Sequence, residues 1–387
     1  MKSRKLLMIP GPIEFEPDVL QAMAVPTASH VAPNFIEVFG NSLDMMREVW
    51  NAPNGQPFVV AGSGTLAMDM AAANLIEKGD AALVVSSGYF GERFKDILET
   101  YGADTTILTA PIGEVVSLTE IEAAFKTKKY KVVTFTHVDT STGVMVAPEP
   151  LCKLAKKYNV LTILDGVCSV AGQEILQDAW GVDVVLTGSQ KAIGVPPGLA
   201  LLVASQKAIE EWKNRKIPVQ NYYASWNNWL PIMTAYEERR PSYFGTPPVN
   251  LILALEKSLE LICSEGMVAR VHRHESLASA FRAAIRSLNL DILPKTEEIA
   301  ASTLTAVYYP KGIDGAVLRA NMTQDDVIVA GGLLSEIKAD YFRVGHMGSV
   351  SANDLLCVLG ALERSLSALN YSFESGVSLK VFQDSLD

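Results

Sequence analysis

The chain has 387 residues, and its 33 Lys and Arg against 43 Asp and Glu give a formal net charge of −10 at pH 7. This acidic balance excludes a general nucleic-acid binder with a basic face, and 49% hydrophobic residues exclude a disordered chain. No apolar run reaches the roughly 18 residues that a bilayer crossing needs, so we expect a globular protein of two or three domains.

The cysteines and histidines show no metal-ligand spacing. The four cysteines form no Cys-x-x-Cys pair and the five histidines no His-Glu-x-x-His, so we predict neither a metal site nor a disulfide framework. The N-terminal apolar run is too short for a secretory signal, and the chain does not end in Ser-Lys-Leu. We therefore expect a cytoplasmic location, with a mitochondrial one left open.

Short apolar runs alternate with helical patterns between residues 58 and 204. A helix ending at Lys78 is predicted after the first strand, and a helix over 90–101 after the second. Continuous Val, Ile and Leu runs are typical of buried parallel strands, so the alternation predicts an α/β fold with a mainly parallel sheet covered on both faces. The predicted strands are 58–61, 82–85, 131–136, 160–164, 183–186 and 199–203.

The pattern changes after residue 204. A helical pattern covers 249–289 with a break near Gly266, and strands are predicted at 304–309, 327–330 and 341–344. A final helix begins at Ser351, which together with Asp354 fits a capping box. We predict a large domain over 1–264 and a smaller α+β domain over 265–387. Basic residues of the predicted helix are expected on a solvated face: Arg270, His272, Arg273 and His274.

Polar side chains follow five of the predicted strands. Because ligands of open parallel sheets bind at the carboxyl ends of the strands, these segments should share one edge. Together they offer an anion cradle, an aromatic ring, hydroxyls, an acid and a lysine, as an aldehyde cofactor with a phosphate would need. The segments are Gly62-Ser63-Gly64-Thr65, Ser86-Ser87-Gly88-Tyr89-Phe90, His137-Val-Asp-Thr-Ser-Thr-Gly143, Asp165-Gly-Val-Cys168 and Thr187-Gly-Ser-Gln-Lys191.

The segment Gly62–Thr65 fits an anion site at the start of a helix, where free N–H groups and the helix dipole favour negative charge. An ordinary Ser or Thr helix cap is the alternative. The spacing is not a Walker loop. Ala67 stands where a nucleotide-binding Gly-x-Gly-x-x-Gly would have its third glycine, which leaves a nicotinamide site open, although the expected acid after the second strand is missing.

Asp165 and Lys191 follow neighbouring predicted strands. Each alone has a simpler explanation, Asp165 as a helix cap and Lys191 as a surface lysine. Lys191, however, precedes the apolar segment Ala192–Gly198, and a lysine in apolar surroundings loses its proton readily enough to form a Schiff base. An acid opposite a pyridine nitrogen would keep that nitrogen protonated and make the ring an electron sink.

These motifs resemble the class V branch of the fold-type I pyridoxal-phosphate aminotransferases, and most closely the alanine–glyoxylate and serine–pyruvate or serine–glyoxylate enzymes. The most specific segment is Gly188-Ser-Gln-Lys-Ala192 followed by Pro196-Pro-Gly198, which is similar to the family's cofactor-lysine signature. The resemblance extends from Pro10-Gly-Pro12 to Arg343. It implies a large domain with a seven-stranded, mainly parallel sheet and a smaller C-terminal domain.

The resemblance also implies a role for each matching residue. Lys191 would bind the cofactor covalently and move the substrate proton, and Asp165 would pair with the pyridine nitrogen. Val167 would pack under the ring and Phe90 over it, at a position where many members have Trp. Thr140 would contact the ring hydroxyl, where members often have Ser. The phosphate would be bound by Ser63, Gly64, Thr65 and Gln190.

Two further sites follow from the resemblance. Arg343 would bind the substrate carboxylate beside Gly11, and a guanidinium does bind carboxylates through two parallel hydrogen bonds. Without the resemblance, Arg343 would be taken as a surface arginine. Tyr243 and Thr246 match a segment that reaches the phosphate in the partner subunit, so a homodimer with a shared active site is expected.

The expected function is transamination between a small amino acid, alanine or serine, and a small 2-oxo acid, glyoxylate or pyruvate, with alanine–glyoxylate transamination first. No second arginine for a dicarboxylate stands out. A cysteine desulfurase or another lyase on the same fold is an alternative, although Cys263 and Cys357 lie in helical patterns rather than on a loop. A subunit without activity is the third possibility, and the joint presence of Asp165, Lys191 and Arg343 argues against it.

Overall fold

A computed structural model describes residues 5–386. A seven-stranded sheet lies at its centre, as predicted. Its strands are β2 (Gln56–Ala61), β3 (Ala81–Ser86), β4 (Asp104–Thr109), β5 (Val132–Thr136), β6 (Leu161–Asp165), β7 (Val184–Gly188) and β8 (Leu199–Ala204). Their order is β2-β8-β7-β6-β5-β3-β4, and β8 is antiparallel to both of its neighbours while the other pairs are parallel. The carboxyl ends of the six remaining strands therefore share one edge.

Helices cover both faces of this sheet and complete a single large core. They are α1 (Pro17–Met23), α2 (Pro33–Val49), α3 (Gly64–Leu75), α4 (Tyr89–Thr100), α5 (Leu118–Thr127), α6 (Pro148–Lys157), α7 (Gln177–Trp180), α8 (Gln206–Lys213), α9 (Trp226–Glu237) and α10 (Val249–Glu265). The predicted α/β class is confirmed.

A second apolar core lies in the C-terminal part of the chain. Its strands form a three-stranded antiparallel sheet, β11-β12-β9, while β1 pairs with β10 in parallel. Because β1 pairs there and Met8 packs in that core, the N-terminal segment joins this part of the molecule. The elements are β1 (Leu6–Leu7), α11 (Met267–Ser287), β9 (Leu304–Tyr308), α12 (Gly315–Gln324), β10 (Val327–Ile328), β11 (Ala330–Gly331), β12 (Tyr341–Gly345), α13 (Ala352–Ala368) and α14 (Val377–Asp384).

Several predicted boundaries change. Helix α3 ends at Leu75 rather than Lys78, because Arg215 donates to the carbonyls of Asn74 and Ile76 at 3.0 and 2.7 Å and so caps the last turn. The capping box at Ser351 is confirmed, but α13 is not the final helix, since α14 follows it. The break at Gly266 is confirmed between α10 and α11.

None of the helices within residues 5–386 combines the length and apolar character that crossing a bilayer requires. The prediction of location rests partly on residues 1–4 and Asp387, which lie outside the described residues. The division of the chain at residue 264 stays a prediction.

Candidate active site

Lys191 lies three residues after β7, and its side chain is buried. Its Nζ donates a hydrogen bond to the carbonyl of Pro10. Gly11 packs directly against it, because a Cβ at Gly11 would lie 2.6 Å from Cδ and 2.8 Å from Nζ of the lysine. Burial lowers the pKa of the Lys191 ammonium, which makes its neutral, nucleophilic form more accessible.

Asp165 is the last residue of β6 and is 1% exposed. The N–H of Val167 donates to its Oδ1 at 3.0 Å, and burial raises the pKa of this carboxyl to about 7. Within the described residues no cation lies within ion-pair distance of it. A buried carboxyl without a cationic partner is costly unless a ligand supplies one, so Asp165 is suited to a protonated ring nitrogen.

The predicted anion cradle opens α3. Ser63 occupies the N-cap position, yet its side chain makes no capping hydrogen bond, and both Ser63 and Thr65 are exposed. The alternative of an ordinary helix cap is therefore wrong for Ser63. A Cβ at Gly64 would lie 2.7 Å from Cγ2 of Val167, so a glycine is needed for the helix to approach the Asp165 loop this closely.

Gln190 joins the same cluster. A Cβ at Gly188 would lie 2.9 Å from both its Oε1 and the backbone nitrogen of Gly64. That Oε1 is buried and has no hydrogen-bond partner within the described residues. Buried polar atoms are nearly always satisfied, so this oxygen marks a place for a ligand or for water.

Phe90 lies in the first turn of α4 and is half-buried. The guanidinium of Arg93 stacks over its ring at 4.9 Å from the centroid and donates to Oγ1 of Thr65 at 3.3 Å. These contacts place the Phe90 side of α4 beside the cradle. Thr140 is buried, and its carbonyl accepts a hydrogen bond from Arg343, which is described next.

Arg343, on β12, donates from Nε to the carbonyl of Gly331 and from Nη1 to that of Thr140, both at 2.9 Å. Its Nη2 makes no hydrogen bond within the described residues, and no carboxylate there lies within ion-pair distance. Burial lowers the pKa of this guanidinium, but arginine keeps its charge in proteins. The arrangement leaves a fixed cation whose free N–H groups are suited to a carboxylate.

Tyr243 and Thr246 are not brought into this cluster. Both lie in the segment between α9 and α10 and are exposed, Tyr243 to 64%. The ring of Tyr243 lies 5.2 Å from that of His30. Neither residue makes a side-chain hydrogen bond in the part of the chain that the structure describes.

A family model described as "Aminotransferase class-V" matches residues 20–346. The chain belongs to the class V aminotransferases. Its relatives include alanine–glyoxylate aminotransferase 1 of Saccharomyces cerevisiae, 38% identical over 91% of this chain and 94% of that protein. An uncharacterised aminotransferase of Methanocaldococcus jannaschii is 35% identical over 97% of this chain and 96% of its own.

Solved structures of aminotransferases have the same fold. Alanine–glyoxylate aminotransferase from Nostoc sp. superposes with a TM-score of 0.89 at 34% identity, covering 95% of this chain and 96% of that one. Ureidoglycine–glyoxylate aminotransferase from Bacillus subtilis gives a TM-score of 0.93 at 26% identity, covering 100% and 98%.

The cluster around Lys191, Asp165 and Arg343 contains residues that the sequence did not single out. Asp139 and Ser141 lie in the motif at 137–143, but no role was predicted for either. Tyr341 is fully buried, and its hydroxyl donates to the carbonyl of Ser141 at 2.6 Å. Arg93 contacts the cradle. Periodicity could not reveal these contacts, since each joins segments far apart in the chain.

The predicted solvated basic face of α11 is wrong for two of its members. Arg270 is buried, and it donates from Nε to the carbonyl of Ala171 at 2.7 Å and from Nη2 to that of Ala192 at 2.9 Å. His274 is also buried, and it accepts from the N–H of Gly348 at 2.9 Å. These hydrogen bonds join α11 to the segments that contain Ala192, next to Lys191, and Gly348, which follows the strand of Arg343.

Proposed function

We propose that this class V aminotransferase uses pyridoxal 5′-phosphate and transfers the amino group of alanine to glyoxylate. The observation that carries the proposal is that Lys191 lies close enough to both Asp165 and Arg343 for their charges to interact, with all three buried or half-buried and each without an ion-pair partner within the described residues. The yeast and Drosophila melanogaster relatives are both named alanine–glyoxylate aminotransferases.

The residues fit pyridoxal phosphate. The exposed hydroxyls of Ser63 and Thr65, the N-terminus of α3 and the unpartnered Gln190 would hold the phosphate. Asp165 would hold the ring nitrogen, and Val167 and Phe90 would pack on the ring, with Thr140 at its hydroxyl. When bound, the cofactor supplies an electron sink for the substrate's α-carbon.

The chain's own residues then have separate tasks. Lys191 would hold the cofactor through its aldehyde carbon, and its amine would hold and move the proton at the substrate's α-carbon. Arg343 binds the substrate carboxylate and fixes the direction of the α-carbon relative to Nζ. Gly11 leaves room for the lysine beside the substrate. Opposite a cationic group Asp165 would stay ionised below pH 7, whereas burial alone raises its pKa to about 7.

We further propose a homodimer in which Tyr243 and Thr246 reach the partner's phosphate. Their exposure in the single chain, and the lack of a side-chain hydrogen bond for either within the described residues, support this. The cytoplasmic location also remains a prediction from the sequence.

The test is a matrix of donors and acceptors assayed on purified enzyme. Alanine with glyoxylate should give the highest kcat/KM among alanine and serine against glyoxylate and pyruvate. Lys191→Ala should abolish turnover, while Lys207→Ala, at the opposite edge of the sheet, should not. Arg343→Lys should raise the KM for alanine about 100-fold, because an ammonium group replaces a guanidinium that can donate two parallel hydrogen bonds to the carboxylate. Turnover by the Lys191→Ala enzyme would contradict the proposal.

Aspartate should be added to this matrix as a third donor beside alanine and serine. A relative in Arabidopsis thaliana is named serine–glyoxylate aminotransferase, and one in Paracoccus denitrificans L-aspartate–glyoxylate aminotransferase. Arg93 favours including aspartate, since its guanidinium lies beside Thr65 without a carboxylate partner within the described residues. It is a second arginine that the sequence did not reveal. If the enzyme prefers aspartate and Arg93→Gln removes that preference, aspartate is the amino donor.

The lyase alternative has less support. Cys263 lies in α10 and Cys357 in α13, so neither is on a loop, and burial raises the pKa of the Cys263 thiol to about 11. Such a thiol is a poor nucleophile. Sulfide release from L-cysteine that is lost in Cys263→Ala or Cys357→Ala would reverse this ranking.

A further inference from the structure

Asp139 is a fully buried carboxylate beside the proposed cofactor site. Its Oδ1 accepts hydrogen bonds from the backbone N–H of Ser141 at 2.8 Å and from its hydroxyl at 2.5 Å. Its Oδ2 accepts from the N–H of Phe90 at 3.0 Å. Every partner is a donor, which favours the ionised carboxylate because that form only accepts, whereas burial acts in the opposite direction and raises the pKa of Asp139.

The bond to Phe90 takes the place of a helix cap. The N-cap residue of α4 is Gly88, which has no side chain with which to cap the first turn. A Cβ at Gly88 would lie 2.7 Å from Cγ of Asp139 and 2.5 Å from Oγ of Ser141, so the glycine lets the helix start approach both residues. Asp139 therefore binds an orphan N–H and places its negative charge at the positive end of α4.

Ser141 is held from two further sides. Its Oγ accepts from the N–H of Tyr89 at 3.1 Å, and its carbonyl accepts from the hydroxyl of Tyr341 on β12 at 2.6 Å. That hydroxyl in turn accepts from the N–H groups of Leu333 and Leu334 at 2.9 Å each. Ser141, which binds the first turn of α4, is thus hydrogen-bonded to β12, the strand that carries Arg343.

We propose that Asp139 is a positioning residue that holds the Phe90 ring in place for stacking on the cofactor. The inference rests on the proposed function, because the ring has a partner only when pyridoxal phosphate binds. The hydrogen bonds of Asp139 come from Phe90 and Ser141, neither of which is assigned to the phosphate or to the ring nitrogen. Its effect on cofactor binding passes through the backbone of Phe90, and this separates it from a residue that merely stabilises the fold.

A double-mutant cycle tests this on the cofactor-free enzyme. The dissociation constant of pyridoxal phosphate is measured for Asp139→Asn, for Phe90→Leu and for the double variant. The side-chain NH2 of asparagine would face one of the N–H or O–H groups that donate to Asp139, and that hydrogen bond would be lost. Asp139→Asn should therefore weaken binding about tenfold, the size expected for one charge-assisted hydrogen bond. In the Phe90→Leu background the same change should weaken binding by no more than about twofold.

The matched control is Asp183→Asn. Asp183 is also buried and accepts from the N–H and hydroxyl of Thr162, but at the opposite edge of the sheet. It should change cofactor binding equally in both backgrounds. Should Asp139→Asn fail to fold, Ser141→Ala replaces it in the cycle with the same expectation and a smaller effect.

The outcomes distinguish two failures. Equal loss of affinity in both backgrounds, with pyridoxal phosphate bound tightly by the unmodified enzyme, overturns the positioning role alone. If the unmodified enzyme binds no pyridoxal phosphate, the proposed function fails and the positioning role fails with it.

Discussion

Replacing Gly11 by alanine should slow the enzyme by displacing its lysine. The added Cβ would lie 2.6 Å from Cδ of Lys191, whereas ordinary van der Waals contact begins at 3.4 Å, so the lysine stem must move by about 0.8 Å. Misplacement of a reacting group by about 1 Å can cost about 100-fold in rate. We therefore expect kcat with alanine and glyoxylate to fall about 100-fold.

The backbone contributes a separate cost, which a control can isolate. Gly11 has a φ of +104°, where a side chain is strained, and about 1–2 kcal/mol of stability should be lost. Gly79 has a φ of +92°, and a Cβ there would meet no heavy atom within 4 Å. Gly79→Ala should therefore lose the same stability and keep its kcat.

The assay pairs steady-state kinetics with urea unfolding for both variants. The two variants should lose equal free energy of unfolding, and only Gly11→Ala should lose kcat. If Gly11→Ala kept kcat within about threefold of the unmodified enzyme while losing the expected stability, the contact with Lys191 would not control the position of Nζ.

Two further predictions concern stability. In the cofactor-free protein the Asp165 carboxyl binds its proton up to about pH 7, whereas its ordinary pKa is 3.8, so its contribution to stability falls by about 4 kcal/mol as the pH rises from about 4 to about 7. Asp165→Asn should thus be more stable than the unmodified protein at pH 8 and equal to it near pH 4, and an offset that does not change with pH in urea unfolding would refute this. Glu363→Ala should cost about 3 kcal/mol, because the buried carboxylate accepts from the N–H groups of Gly376 and Ser378 at 2.7 and 3.0 Å at the start of α14, while Glu275→Ala on an exposed face should cost almost nothing. Equal unfolding midpoints for these two variants would contradict that assignment.

The central strands could be predicted because their residues are buried on both faces. β5 and β6, for example, are buried at every position, and most of their residues are apolar. β4 was missed because it is an edge strand whose residues, Asp104–Thr109, are half-buried or exposed and largely polar. The resemblance implied seven strands, but the residues alone indicated only six of them.

The site was predictable where a residue follows a strand and not where it depends on a distant partner. Lys191 and Asp165 follow β7 and end β6, so the strand pattern places them on one edge. Arg270 looked solvated because its partners, the carbonyls of Ala171 and Ala192, are backbone atoms that carry no sequence signal. Asp139 was overlooked for the same reason, since its bond to Phe90 ends on a backbone N–H.

The pairing of β1 with β10 has a consequence for how the chain is made. Leu6 lies opposite Val327, so a ribosome must add more than 300 residues after the first strand before its partner exists. Until then Met8, which is buried in the C-terminal core, stays exposed to solvent. Contacts between such distant residues form slowly, because a long loop must close first. Pro10 and Gly11, which contact Lys191, lie three and four residues after β1, so the lysine should gain its complete surroundings only after synthesis has passed the tenth strand.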